Sequence, residues 1–576
     1  MNRPLSQSPD VSARPAWPLW ALAALLAVLW FGNLGLRTLT EPDEGRYAEI
    51  PREMLAGGDW LAPHLNGIQY LEKPPLQYWA TAALYKALGV HPWVSRLYTA
   101  GLGFALLVLV GCAGRRWYGA ATGLYAALML ASSALFYLLA HLNTLDMGLT
   151  FYLSLAMLAL VYSQRVPASA DSSAVAATGA ARDWLWLAWA ALGLAVLQKG
   201  LVGLVLPGFA VALYVLWQRD WALLLRMRLL SGFAIVLALN LPWWWLMQRR
   251  NPAFVDWFFV HEHYTRFLTN EHDRAEPWWY FSALLLVGVL PWIAPMTRGF
   301  LAALRMPGSV APGPATHAAT KSGFATERFL AVWAAAVFIF YSPSGSKLAP
   351  YILPMLPPLA LLAARFLALR PLSVPALRMT LWSATAAALL LSLAPLLVTR
   401  LEVGAERQAA YHNIAQLAML AGLLLLFAIA LTWLLEKQHS RLAAVATLAT
   451  GWIACLALLS NGSNELAAWR GGNTLAADVA PYLRSGARLF CLDTFPQTTI
   501  FRLAQPCTVV GAAGELEIQF DDGEPNWLPT EAFAAAWAAA PSAVAIVDRA
   551  NLVKWQALAR GATVAVNKPY GVVLIK

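Results

Sequence analysis

Charged side chains are scarce in this chain of 576 residues, because Asp, Glu, Lys and Arg together make up only 12% of it. A soluble globular domain carries about twice that fraction, so the composition excludes a soluble protein. Hydrophobic residues make up 59% of the sequence, which predicts an all-α polytopic membrane protein. The net charge of +10 does not indicate a nucleic-acid partner, since positively charged cytoplasmic loops produce such an excess by themselves.

Cysteine is also rare, with four residues in the whole chain. Cys112 and Cys455 lie in apolar segments, whereas Cys491 and Cys507 lie in the polar C-terminal tail. If the tail faces an oxidising compartment, the latter pair can form a disulfide. Two free thiols are the alternative that the sequence leaves open.

Apolar runs of about 20 residues, the length that crosses a bilayer, recur along the chain. They predict about 13 transmembrane helices, at 17–36, 96–113, 118–138, 146–164, 183–197, 200–217, 229–248, 278–297, 328–342, 350–368, 379–399, 413–433 and 442–460. No small-residue cleavage site follows the first run, so we expect a retained span rather than a signal peptide. The shorter apolar run 76–89 predicts an interfacial or re-entrant helix.

The positions of Arg and Lys predict which ends of the spans face the cytoplasm. With the N-terminus inside and 76–89 not spanning, every strongly basic connection falls on the cytoplasmic side. These connections are 115–116, 165–182, 219–228, 298–328, 370–378 and 437–441. The loop 37–95 and the tail then face away from the cytoplasm, which in the inner membrane of a bacterium means the periplasm.

The tail differs in character from the rest of the chain. Short β-rich runs alternate there with helix-like runs such as Thr530–Ala539, a pattern typical of a small α/β domain. The β-rich runs are Arg488–Leu492, Ala543–Val547, 563–566 and Gly571–Ile575. We therefore divide the chain into a transmembrane domain, 1–460, and a periplasmic α/β domain, 461–576.

Acidic residues cluster directly after the first apolar run, in the segment Glu41-Pro-Asp-Glu-Gly-Arg-Tyr47. Ionisable groups at a membrane edge are costly and indicate function; an ordinary solvated loop is the alternative. Asp43 and Glu44 are the catalytic candidates here. Asp146, at the outer end of a later span, is the second catalytic acid, and a helix N-cap is an alternative role that is compatible with the first.

Five cations lie on loops that are predicted to face outward, against the positive-inside tendency. Arg and Lys form charge-assisted bonds with phosphate oxygens, so their joint placement predicts a cavity for a phosphate-bearing substrate. Each of them alone could instead extend to lipid headgroups. The five are Arg46, Lys73, Lys199, Arg266 and Lys347.

A third group is the segment His261-Glu-His-Tyr-Thr-Arg266. A divalent metal ion held by His263 with Glu72 is one interpretation, although the spacing is not a strong zinc signature. Histidines that bond a lipid headgroup are the alternative.

Several motifs of soluble enzymes are missing from the sequence. There is no phosphate-cradling glycine loop, no nucleotide fingerprint and no Ser-His-Asp arrangement that the topology would assemble. No nucleotide is therefore expected as a cofactor or donor. A donor should instead be lipid-linked, activated by phosphate, and reach the site through the membrane.

Four motifs together resemble those of the bacterial 4-amino-4-deoxy-L-arabinose lipid A transferases, which are C-type glycosyltransferases of the protein O-mannosyltransferase superfamily. The resemblance covers roughly residues 17–460, and it is weaker in the tail. The motifs are Glu41-Pro-Asp-Glu-Gly-Arg-Tyr47, Tyr70-Leu-Glu-Lys-Pro-Pro75, Gln198-Lys-Gly200 and Ser346-Lys-Leu-Ala-Pro-Tyr351.

The resemblance implies a C-type glycosyltransferase fold, an undecaprenyl phosphate-linked aminoarabinose donor, a lipid A phosphate acceptor, and resistance to polymyxin. Asp43 matches the principal catalytic acid of that family and Asp146 the second. Arg46 and Lys73 match positions near the donor phosphate. The aromatic side chains expected to contact substrate are Tyr47, Tyr341 and Tyr351.

Two other functions remain open at this point. One is another polyprenyl-phosphate-sugar transferase, such as a protein O-mannosyltransferase. The other is a lipid flippase or transporter, which would call for charges buried mid-span, whereas the candidate residues here cluster at one membrane face.

Overall fold

A computed structural model describes residues 17–165, 173–259, 276–305, 324–369, 375–401, 404–438, 440–470, 472–483, 486–511 and 526–576. Helices dominate the chain up to Asn461, and a mixed sheet forms the core of the region that follows. The prediction of a helical, multi-span membrane region with a small C-terminal α/β domain is confirmed.

The first part of the chain contains an apolar helix of 15 residues followed by the elements of the loop 37–95. These elements are α1 (Trp17–Phe31), α2 (Asp43–Gly57), β1 (His64–Leu65), β2 (Ile68–Gln69) and α3 (Leu76–Leu88). Helix α3 has 13 residues and at about 1.5 Å per residue is too short to cross a bilayer. It occupies the run that was predicted to be interfacial or re-entrant.

The remaining helices of the membrane region follow in close succession. They are α4 (Pro92–Tyr118), α5 (Ala120–Ala131), α6 (Ala134–Ala140), α7 (Leu145–Gln164), α8 (Ser173–Lys199), α9 (Val202–Gln218), α10 (Ala222–Arg226), α11 (Leu229–Arg250), α12 (Tyr280–Gly288), α13 (Ile293–Arg305), α14 (Thr326–Tyr341), a 3₁₀ helix (Ala349–Met355), α15 (Leu356–Ala368), α16 (Pro375–Ser392), α17 (Ala394–Val398), α18 (Ala405–Lys437) and α19 (Arg441–Asn461).

The structure does not confirm the predicted number of 13 spans. Every predicted apolar run is occupied by helix, but among the described residues seven helices are long and apolar enough to cross a membrane, or up to nine if each bent pair is one span. The run 278–297 is such a pair, because α12 and α13 meet at an angle of 115°. Pro291 lies at this break, where its missing N–H interrupts a helix.

The connections predicted to be cytoplasmic meet at one end of the bundle. Arg165 donates to Thr326 Oγ1 at 3.1 Å, Arg328 donates to Gln218 Oε1 at 2.6 Å, and Arg441 donates to the carbonyl of Leu367 at 2.8 Å. Arg165 and Arg365 also lie over the same ring, that of Tyr118, so these contacts bring several of the basic connections to one end of the bundle.

The loops assigned to the other face also contact one another. Trp243, near the end of α11, donates to the carbonyl of Leu61 at 3.0 Å, and Asn251 donates to Gln69 Oε1 at 3.2 Å. Loop 37–95 therefore covers the end of the bundle opposite to the basic loops.

The C-terminal region begins with two helices, α20 (Ser463–Arg470) and α21 (Gly472–Leu483), and then forms a sheet of six strands in the order β5-β4-β3-β6-β8-β7. The neighbouring strands among β3, β4, β5 and β6 pair in parallel, and β8 pairs antiparallel with both β6 and β7. The elements are β3 (Arg488–Leu492), α22 (Gln497–Leu503), β4 (Thr508–Val510), β5 (Trp527–Leu528), α23 (Thr530–Ala539), β6 (Ala543–Val547), a 3₁₀ helix (Arg549–Asn551), α24 (Leu552–Leu558), β7 (Thr563–Lys568) and β8 (Gly571–Ile575). The predicted β-rich runs are all strands.

A disulfide joins Cys491 and Cys507, so the first of the two interpretations left open by the sequence is confirmed. Cys491 lies in the central strand β3, and Cys507 immediately precedes its neighbour β4. The bond therefore links two adjacent parallel strands across α22.

Candidate active site

Glu44 lies inside a closed cluster of ion pairs on the first turn of α2. Its carboxylate is fully buried and accepts two hydrogen bonds from Arg96, at 2.7 and 2.9 Å, and one from Arg37 Nη1 at 3.0 Å. The backbone N–H groups of Thr40 and Asn143 donate to it as well, each at 3.0 Å. Burial alone would raise the pKa of Glu44, but Arg96 and Arg37 outweigh it and hold the pKa below its usual value.

Asp43, one residue earlier, points away from this cluster. Its side chain is 53% exposed and its Oδ1 lies 3.8 Å from Nη2 of Arg46, whose side chain is buried. Successive residues of a helix point about 100° apart, so Glu44 enters the protein while Asp43 stays accessible. Of the two predicted catalytic acids on this loop, Asp43 is the one that a substrate can reach.

Aromatic rings connect Arg46 to the second predicted motif. The guanidinium of Arg46 lies 5.8 Å from the Tyr47 ring centre, and Tyr47 stacks on Tyr78 at 6.2 Å. Tyr78 meets Tyr70 edge-on at 6.5 Å. These contacts bring together the two motifs, which are separated in the sequence by β1 and β2.

Glu72 and Lys73 lie next to this group of aromatic rings. Tyr70 donates to Glu72 Oε2 at 3.0 Å, and burial raises the pKa of Tyr70 well above its usual value, so that its hydroxyl keeps the proton it donates. The Lys73 ammonium lies 3.2 Å from the Glu72 carbonyl and 3.8 Å from its carboxylate. The side chain of Lys73 is 15% exposed.

Asp146 and Lys199 form an ion pair at the junction of α7 and α8. The N-cap of α7 is Thr144 and Asp146 lies in the first turn, so the N-cap alternative for Asp146 is wrong. The ammonium of Lys199 lies 5.4 Å from the centre of the Tyr351 ring, and Tyr351 contacts Tyr341 with ring centres 4.9 Å apart. Four predicted site residues are thus brought together.

Lys347, on the loop between Tyr341 and Tyr351, is buried. Its ammonium donates to the carbonyl of Glu276 at 2.9 Å. This bond holds the predicted cation against the chain that follows α11.

A chain of amide side chains joins the Glu44 cluster to the Asp146–Lys199 pair. Asn143, whose N–H binds Glu44, accepts from Gln77 at 3.0 Å, and Gln77 accepts from Gln198 at 2.9 Å. Gln198 also donates to the Leu145 carbonyl at 3.2 Å. Because these hydrogen bonds are all buried, they hold the two acidic loops in a fixed relation.

The chain is similar to known protein families and to solved structures. A family profile described as dolichyl-phosphate-mannose-protein mannosyltransferase matches residues 16–258, and a profile described as aminoarabinose transferase C-terminal domain matches residues 475–576. Over its whole length the chain is similar to the crystal structure of ArnT from Cupriavidus metallidurans bound to undecaprenyl phosphate, with a TM-score of 0.87, 31% identity and 98% of each chain covered.

The chain belongs to the aminoarabinose transferase (ArnT) family.

Relatives known by sequence agree with this membership. The undecaprenyl phosphate-alpha-4-amino-4-deoxy-L-arabinose arabinosyl transferase of Pseudomonas aeruginosa is 34% identical over 62% of this chain. The protein of the same name from Serratia proteamaculans is 33% identical over 60%. The matched stretches span 61% and 59% of these two relatives. The apo structure of the Cupriavidus metallidurans ArnT matches with a TM-score of 0.86 and 31% identity, covering 97% of this chain and 98% of that one.

Two predicted residues, Arg266 and His263, lie outside the described residues. The predicted metal pair therefore has only Glu72 within the described part of the chain, where no group of three or more His, Cys, Asp or Glu side chains could hold a metal ion. Glu72 accepts a hydrogen bond from Tyr70.

Sequence reasoning missed the partners that hold this ArnT-family site in place. Arg37 and Arg96 lie at the edges of predicted spans, where a cation usually indicates nothing more than contact with lipid headgroups. Gln198 was part of a recognised motif, but only the fold shows that it binds Gln77. Gln497 and Thr498, in the C-terminal domain, carried no signal at all in the sequence.

Proposed function

We propose that this chain transfers 4-amino-4-deoxy-L-arabinose from undecaprenyl phosphate to a phosphate group of lipid A, which lowers the negative charge of lipid A and weakens the binding of polymyxin. The main support is the combination of a full-length match to an ArnT crystallised with undecaprenyl phosphate with an accessible Asp43 beside the buried cation Arg46.

The reaction we propose is a direct displacement at the anomeric carbon of the sugar. An oxygen of the lipid A phosphate forms a bond to the anomeric carbon. At the same time the bond between this carbon and the donor phosphate oxygen breaks, and undecaprenyl phosphate leaves with the electron pair. Such a step inverts the anomeric centre and passes through an oxocarbenium-like state. Charge grows on the leaving phosphate, where Arg46, Lys73 and Arg266 would stabilise it.

Asp43 has an electrostatic and orienting role in this proposal. The acceptor phosphate is already anionic, so the reaction does not need a strong base, and proton removal is secondary. The accessible carboxylate would face the positive charge that develops on the sugar ring. Glu44, enclosed by Arg37 and Arg96, would act by fixing the loop that carries Asp43.

The Asp146–Lys199 pair would form the second side of the site. Lys199 is paired with Asp146 and placed over the ring of Tyr351, an arrangement suited to holding a sugar amino group or a phosphate oxygen between opposite charges. Tyr341, the last residue of α14, and Lys347, on the loop that follows it, complete the predicted substrate contacts.

We further propose that the site faces the periplasm and that the protein lies in the bacterial inner membrane. The support is that the acidic loops and the basic loops occupy opposite ends of the bundle, together with the positive-inside rule. A cysteine introduced at the exposed position Gly57 should react with a membrane-impermeant thiol reagent in intact spheroplasts. Labelling only after the membrane is broken would overturn the orientation.

We also predict that Glu72 and His263 hold a divalent metal ion. This prediction would be tested by measuring metal content and transfer activity of the purified protein before and after chelation. A chain that retains full activity without bound metal would remove it.

The decisive experiment is mass spectrometry of lipid A from a strain that lacks its own transferase and expresses this chain. We expect a mass increment of one aminoarabinose and survival in polymyxin. Asp43→Asn should lower the transfer rate by at least about 100-fold, a magnitude usual for loss of one electrostatic contact in the transition state, without lowering the melting temperature.

The same strain separates the alternatives. Sugar on a periplasmic protein with unmodified lipid A would favour a protein O-mannosyltransferase. Translocated lipid without any sugar transfer by the purified protein would favour a flippase. Asp183→Asn serves as the control for Asp43→Asn, because Asp183 forms an exposed ion pair with Arg182 in α8 and should have wild-type activity.

A further inference from the structure

The C-terminal domain reaches the candidate active site through α22, and we infer that Gln497 in this helix is a positioning residue that orients the guanidinium of Arg46 toward the donor phosphate. The inference rests on the proposed function, in which Arg46 binds that phosphate. The C-terminal domain would thus help to form the candidate site, whose other residues here lie in the loop 37–95.

The contact between the two residues is direct and buried. The Nε–H of Arg46 donates to Gln497 Oε1 at 3.1 Å, and both residues are less than a tenth exposed. A guanidinium is planar and only donates, so a bond at Nε sets the plane of the group and the direction of its two terminal nitrogens. One of these, Nη2, lies 3.8 Å from Oδ1 of Asp43.

Gln497 is itself held rigidly against α2. The carboxylate of Glu41 accepts the backbone N–H of Thr498 at 2.7 Å. A Cβ added at Gly45 would lie 2.5 Å from that same nitrogen and 2.6 Å from Thr498 Oγ1, so the two helices are in backbone contact there. Gln497 therefore cannot move relative to Arg46 without disturbing this seam.

The chemistry of the amide suits an orienting role. Its carbonyl oxygen is neutral, so it directs Arg46 without cancelling the charge that attracts phosphate, whereas a carboxylate at this position would form an ion pair and compete with the ligand. The bond also keeps a long, flexible side chain in one rotamer before the ligand arrives, which reduces the entropy lost on binding.

The test uses the full-length protein in detergent, with undecaprenyl phosphate as the binding probe. Gln497→Met keeps the volume of the side chain but removes the acceptor. We expect the dissociation constant for undecaprenyl phosphate to rise about tenfold, the factor that corresponds to loss of one hydrogen bond to a charged group. The matched control is Thr499→Val in the same helix, because the buried Thr499 hydroxyl donates only to the carbonyl of Gly472 in the described contacts and should leave the constant unchanged.

A double-mutant cycle separates positioning from a general loss of structure. If Gln497 acts through Arg46, Gln497→Met should have almost no further effect in an Arg46→Ala background, or in Arg46→Lys should the alanine variant fold poorly. Wild-type binding by Gln497→Met, or losses that multiply in the double variant, would overturn the inference. If the wild-type protein binds undecaprenyl phosphate but transfers no aminoarabinose, the proposed function fails, while the binding cycle still decides the role of Gln497.

Discussion

At the scale of the residue, the candidate site depends on two adjacent carboxylates with opposite environments. Glu44 is fully buried and paired with Arg37 and Arg96, whereas the side chain of Asp43 is about half exposed. A buried charge is tolerated only when it is paired and hydrogen-bonded. Glu44 thus serves as the centre around which the first loop folds, whereas Asp43 stays accessible at its surface.

Glu44→Gln should destabilise the protein strongly. It removes the charge that compensates Arg37 and Arg96, and leaving a buried charge without its partner costs about 3–5 kcal/mol. The measurement is the free energy or temperature of unfolding in detergent. Asp183→Asn, which breaks an exposed pair, should change the stability by no more than about 1 kcal/mol; equal losses in the two variants would contradict the structural role given to Glu44.

At the scale of the element, the site depends on how α2 packs against α22. Gly45 allows the approach, because any side chain there would meet the backbone of Thr498. The buried face of α2 includes Arg46, Tyr47 and Ile50, so the same helix presents its site residues and docks the C-terminal domain. A shift of α22 is therefore expected to reach the active site directly.

Gly45→Ala tests this packing. Alanine favours a helix over glycine by about 1 kcal/mol, yet the added methyl should force α2 and α22 apart and lower the stability by about 1–3 kcal/mol. Thermal unfolding and limited proteolysis of the C-terminal domain are the measurements. Gly57→Ala is the matched control at the other end of the same helix, where a Cβ meets nothing within 4 Å and should be neutral or stabilising.

Glu41 makes the same seam sensitive to pH. Burial raises the pKa of Glu41 to about 7 although the N–H of Thr498 opposes the shift. The folded protein therefore holds a proton that the unfolded chain releases above about pH 4.5, and the free energy of unfolding should fall by about 3 kcal/mol as the pH rises from 4.5 to 7.

Glu41→Gln should remove that part of the pH dependence, since glutamine cannot lose the proton and its amide oxygen can still accept from Thr498. The variant should match the wild type at pH 5 and melt at a higher temperature at pH 8. Glu53, whose pKa burial also raises to about 7, is present in both proteins and cancels in the comparison. Parallel curves for the two proteins would contradict the prediction.

At the scale of the whole molecule, the C-terminal domain is joined to the outer loop at a second point. Asn66 and Cys507 exchange two hydrogen bonds, each of 2.9 Å, and Asn526 donates to the Asn66 carbonyl at 2.7 Å. Cys507 is in turn linked to Cys491 in the central strand. The disulfide therefore connects the core of the domain to the loop that carries the acids.

Replacing both Cys491 and Cys507 with serine should lower the stability of the C-terminal domain by about 3 kcal/mol, the effect expected for a loop of this length. Transfer activity should fall with it, because α22 lies between the two cysteines. Cys112→Ser, at an exposed free thiol, is the control. A melting temperature of the wild-type protein that does not change on reduction would contradict the role of the disulfide.

Local patterns alone were enough to predict much of this protein. Apolar runs identified a helical membrane protein, alternation of short β-rich runs identified the strands of the C-terminal domain, and the Glu41–Tyr47 motif identified the family. These properties depend on hydropathy and on residues a few positions apart. The count of 13 spans is not confirmed, because runs such as those at Val202–Gln218 and Ala376–Ser392 form helices of 10–17 residues, and hydropathy alone does not show where a helix ends.

Only the tertiary structure decided which residues of these motifs contact one another. Arg96 is 52 residues from Glu44, and Gln497 is 451 residues from Arg46, so no local signal relates them. The direction in which Asp43 and Glu44 point, the pairing of Asp146 with Lys199, and the seating of α22 on Gly45 all follow from packing between distant segments. The amino-acid sequence by itself thus determined the membrane architecture and the chemistry at hand, and only the fold determined how that chemistry is arranged, because burial and pairing are properties of contacts rather than of neighbours in the chain.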